Sequence, residues 1–62
     1  MNIKNFIEQQ FEKIESLHNK KDESVIHLDK MLSVLAQIID EHNLLDEYYE
    51  RYIDLKKTIR SL

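Results

Sequence analysis

At 62 residues the chain holds at most one domain, spanning 1–62, because separate cores need roughly 50 residues apiece; with three histidines and no cysteine it lacks both disulfides and good ligands for a structural zinc. The complete absence of glycine and proline excludes the phosphate-cradling loop, the dinucleotide fingerprint and most sheet architectures, whose tight turns rely on positive φ. A net charge of -3, with 42% hydrophobic and 34% charged residues, describes an ordered chain with a buried stripe and a solvated face, and offers no overall attraction to nucleic acid or anionic lipid.

The first predicted element begins at Ile3. Ile3, Phe6, Ile7, Phe11, Ile14 and Leu17 recur in steps of three and four, which is one face of an α-helix. Lys4, Glu8, Glu12, Lys13 and Glu15 form the opposite face, and the helix should stop near Asn19 to Lys21, where Lys20 and Lys21 suit the negative end of its dipole.

Asp22 is the expected N-cap of the second helix, with Glu23 adding negative charge to its first turn. Val25, Leu28, Leu32, Leu35 and Ile39 then repeat at heptad spacing, and Met31 and Ile38 widen the stripe to a second seam. A helix with two seams contacts at least two neighbours, so Leu28, Leu32 and Leu35 are expected among the most buried residues.

The third segment admits two readings. Asn43 can cap a new helix, with Asp46 three residues on, which yields a small all-α bundle of three helical segments, each ~27 Å long. Alternatively the helix runs on, because Leu28, Met31, Leu35, Ile38, His42, Leu45, Tyr49 and Tyr52 make an unbroken seam, and Asp40 and Glu41 are unfavourable at a helix C-terminus. The result is a helical hairpin with a second helix of ~58 Å, whose far half needs a second chain to cover it. On either view Leu45, Tyr48, Tyr52, Leu55, Ile59 and Leu62 mark a helical seam.

Candidate chemistry starts with the histidines, whose ordinary pKa lies nearest neutrality. Glu15 and His18 make one E-x-x-H, but carboxylate-bridged di-iron bundles need two such motifs and two further glutamates, and the chain has no second. His42 can act as a registry device or a pH-sensitive contact beside Asp46, or simply as a boundary residue, and His27 beside Glu23 reads as an exposed residue. No serine or threonine has a base at a suggestive spacing, and so small a bundle leaves no room for a substrate pocket of ~300 Å³, so no enzyme activity, cofactor or metal is expected. The acidic stretch Asp40 to Glu50 can meet a basic partner or form a solvated face, and Lys56, Lys57 and Arg60 complement the helix dipole.

What remains is surplus apolar surface: Ile26, Val34, Leu44, Tyr49 and Ile53 fall outside any single stripe. The expectation is therefore a small non-enzymatic protein-interaction module, a regulator, inhibitor or adaptor, acting as a homo-oligomer or on another protein through Leu44, Leu45, Tyr48, Tyr49, Tyr52 and Ile53. The alternative is a dimeric nucleic-acid-associated regulator using the basic carboxyl-terminal turn. No stretch is apolar enough for a signal peptide or membrane span, which makes a cytoplasmic address the default expectation.

Overall fold

The structure, a computed structural model, describes residues 2–21 and 23–60. Three helices, α1 (Ile3–Lys20), α2 (Val25–Glu41) and α3 (Leu45–Arg60), take up 88% of those residues, and no strand occurs among them. None of the helices is long and apolar enough to cross a membrane.

Each boundary has a local cause. Asn2 opens α1, its side-chain oxygen accepting the Lys4 N–H at 2.8 Å. Lys21 closes it in the left-handed region at φ 58°, donating its N–H to the carbonyls of His18 and Leu17. The expected cap Asp22 lies outside the described residues. Ser24 performs that role: it directly precedes Val25, and its hydroxyl accepts the His27 N–H at 3.2 Å.

The segment at His42 decides between the two architectures. Asn43 adopts φ 57°, its N–H bonds the Asp40 carbonyl at 3.0 Å, and the Leu44 N–H reaches back to Ile39 at 3.0 Å. These paired bonds form a Schellman motif, with Leu44 supplying its apolar contact by packing against the core. Asn43 therefore ends α2 instead of capping α3, which corrects the expected capping role. Asparagine tolerates left-handed backbone better than other residues with a Cβ, and in a chain without glycine it is a suitable stop. The continuous helix is excluded. The Leu44 carbonyl then accepts the N–H groups of Glu47 and Tyr48, starting α3, and Asp46 and Glu47 place negative charge at its positive end.

α2 is the central element, its backbone lying close to both neighbours. Leu28, Leu32, Leu35 and Ile39 are almost fully buried, as the two-seam pattern implies. Ile7, Phe11 and Ile14 meet them from α1, and Tyr48, Leu55 and Ile59 from α3. The bundle is flattened, with extents of 31 × 21 × 15 Å, and α1 and α3 meet chiefly through long side chains. Phe11 and Tyr48 fill that gap with ring centroids 6.1 Å apart, and the Arg51 guanidinium lies 5.0 Å over the Phe11 ring. Lys4 with Glu47 and Arg51 with Glu15 bridge the rim of the same seam at 3.1 and 3.2 Å.

Candidate functional site

The third helix divides its side chains between two surfaces. Tyr48, Leu55 and Ile59, at steps of seven and four, face the core. Leu45, Tyr49, Tyr52 and Lys56, at steps of four, three and four, with Ile53 and Arg60 one turn beyond Tyr49 and Lys56, form a second stripe beside it. Along this stripe Leu45 and Tyr52 are half-buried against the core, Ile53 is half-buried, and Tyr49 is 52% exposed. The Lys56 ammonium caps Tyr52, 3.5 Å from its hydroxyl oxygen and 5.6 Å from the ring centroid. Ile53, Lys56, Lys57 and Arg60 wall a shallow open groove of about 480 Å³.

Of the six residues expected at a contact, the structure thus brings Leu45, Tyr49, Tyr52 and Ile53 together on one face. Tyr48 is not among them, being only 7% exposed; its hydroxyl points between helices to Glu8 at 3.4 Å. Burial, followed by the charges of Glu8 and Glu47, raises the Tyr48 pKa above its ordinary 10.0, with Lys4 partly opposing them. Leu44 belongs to the turn after α2. Lys57 and Arg60 stand in the last turn of α3, where they complement its dipole, and the spacing of Lys56, Lys57 and Arg60 from Ile53, of three, four and seven residues, also places all four around one hollow.

Charge on this face is split along the helix. Asp46 and Glu50 are exposed towards the amino end, and Lys56, Lys57 and Arg60 lie towards the carboxyl end. Arg60 is tied to Asp29 of α2 at 2.9 Å, and that hydrogen bond and charge raise its pKa further. Asp46, Glu50 and Lys57 take part in none of the ion pairs among the described residues.

Comparison with family models, with curated proteins and with solved structures finds no match to this chain.

The remaining chemical candidates are dispersed. His42 is exposed at the α2 C-cap, and His27 stands on the surface with its Nδ1 3.8 Å from Glu23. His18 lines a cleft of about 150 Å³ between α1 and α3 with Glu15, whose carboxylate is held by Arg51. No group of three or more histidines and carboxylates able to hold a metal comes together among the described residues. Ile26, 83% exposed, and Val34, 51% exposed, emerge from α2 instead of α3.

Proposed function

We propose that this protein is a non-enzymatic interaction module, a regulator, inhibitor or adaptor, that engages another protein or a second copy of itself through the outward stripe of α3. The carrying observation is the exposure of Tyr49 beside Ile53 on a helix whose inner face is already complete with Tyr48, Leu55 and Ile59. Folding gives no reason for an aromatic ring at Tyr49, because it adds nothing to the core. Tyrosine suits a contact, since its ring buries a large area while its hydroxyl still reaches water or a polar partner.

A nucleic-acid partner draws less support from this face. Of its basic groups, Arg60 is engaged by Asp29, and Asp46 and Glu50 share the same helix surface. Phosphate binding depends on several clustered free cations.

The test pairs the wild type with Tyr49→Glu/Ile53→Glu. The double variant is expected to keep its far-ultraviolet circular dichroism and to lose retention of protein partners, or self-association in the ultracentrifuge. A wild type that neither self-associates nor retains any partner beyond those the double variant retains would overturn the proposal.

A further inference from the structure

We infer that the occupant of the α3 stripe is α3 of a second copy, laid antiparallel across a two-fold axis that passes between Tyr52 and Ile53. The inference rests on the proposed interaction face and names its partner. Its basis is a self-complementarity in both shape and charge.

The groove on α3 has the shape of a socket. Ile53, Lys56, Lys57 and Arg60 stand at positions i, i+3, i+4 and i+7, the four residues that surround a hole on a helix surface, and a knob from a facing helix fills such a hole. With the axis between Tyr52 and Ile53, the middle of that hole lies opposite the Tyr48–Tyr49 pair of the second copy. Tyr48 is committed to the core, so Tyr49, the exposed one, is the knob. Symmetry supplies two knobs and two holes in a single contact, as an isologous dimer demands. The lysine stems offer apolar walls, and their ammonium groups can attract the face of the incoming ring and donate to its hydroxyl oxygen. Tyr52 then meets the partner's Ile53 at the axis.

Charge is complementary in the same register. In this register Lys57 falls opposite the midpoint between the partner's Asp46 and the partner's Glu50, and does so twice. On and beside the stripe, each α3 carries Asp46 and Glu50 on its amino half and Lys56, Lys57 and Arg60 on its carboxyl half, while Arg51 is turned to Glu15 of α1. Antiparallel pairing joins opposite signs, whereas parallel pairing sets acid against acid and base against base. A contact confined to one helix of about 24 Å is small, so the dimer belongs among weak, reversible ones with a micromolar dissociation constant.

Sedimentation equilibrium of the full chain across the micromolar range reads the affinity. Lys57→Glu alone and Asp46→Lys/Glu50→Lys alone each raise the dissociation constant about tenfold or more, because each sets like charges across the axis. Mixed in equal amounts, the two variants pair with each other at near wild-type affinity, because every crossed contact again joins opposite signs. A cysteine introduced into this cysteine-free chain gives a second readout that does not depend on the charge variants folding. Oxidation links Ile53→Cys into dimers and leaves Asp46→Cys unlinked, since only the first lies at the axis. A wild type that stays monomeric throughout, a mixture no tighter than its components, or linkage at both positions or at neither overturns the antiparallel pairing. If the pairing fails while a different protein is still retained by the wild type and lost by Tyr49→Glu/Ile53→Glu, the interaction face itself survives.

Discussion

Leu35 and Ile26 provide a contrast in which the helix and the deleted atoms are nearly constant and burial alone changes. Both are on α2, and truncation to alanine removes three carbons from each, yet Leu35 is 2% exposed and Ile26 is 83% exposed. At ~0.8 kcal/mol per buried methylene, Leu35→Ala loses ~2 kcal/mol of transfer energy, and the cavity left in the core raises the cost to ~2–5 kcal/mol. A core of this size supplies only ~3–5 kcal/mol, so the variant should be largely unfolded or close to it at room temperature. Ile26→Ala should stay within ~0.5 kcal/mol of the wild type, the usual range for a surface change, aided by the better helix propensity of alanine. Urea titration followed by far-ultraviolet circular dichroism measures both. With a slope of ~1 kcal/mol per molar urea, the Leu35 midpoint falls by ~2 M or more and the Ile26 midpoint by less than ~0.5 M. Equal shifts, or an unchanged Leu35→Ala midpoint, would refute the assignment of α2 as the doubly covered central helix.

Three further outcomes follow from local geometry. Lys21→Gly should stabilise the fold by ~0.5–1 kcal/mol, seen as a higher melting temperature, because glycine relieves the left-handed backbone at φ 58°; Asn43→Gly should gain less, since asparagine already tolerates that region. Ser24→Ala removes the oxygen that accepts the His27 N–H and should cost ~1 kcal/mol in a thermal melt, whereas Ser16→Ala, on the exposed face of α1, should be near neutral. Tyr48 should ionise later than a free tyrosine in a spectrophotometric pH titration. Its pKa is raised in the folded state, so the stability it contributes is fully present below pH 10.0 and is lost as pH rises through the folded value, and Tyr48→Phe should flatten that alkaline loss.

The helices themselves were legible in the sequence because burial on one face of a helix imposes a period that no other structure shares. The run from Ile3 to Leu17 and the doubled stripe from Val25 to Ile39 reproduce it directly, and the prominence of Leu28, Leu32 and Leu35 in the core followed from spacing alone. Helix ends were less legible. A cap depends on one side-chain oxygen reaching one backbone N–H, and Asp22 and Ser24 both have the chemistry, so only the folded chain shows Ser24 bonded to His27. The break at Asn43 was undecidable from pattern, since the seam through His42, Leu45 and Tyr49 continues in register; a backbone reversal that returns Tyr52 and Leu55 to the same core decides it.

The candidate surface divides in the same manner. Composition and spacing identified a tyrosine-rich segment with more apolar side chains than one stripe uses. Adjacent residues on a helix point about 100° apart, so Tyr48 and Tyr49 face different ways, one into the core and one out of it. Which of them enters the core depends on where α1 places Phe11 and Glu8, and Glu8 lies 40 positions from Tyr48 in the chain. The sequence by itself determined that the chain is helical, which residues are apolar on which face, and that some of them exceed what one core needs. The tertiary structure alone decided that α3 folds back with Tyr48 inward and Tyr49 outward, because that choice is made by long-range packing and not by any local propensity.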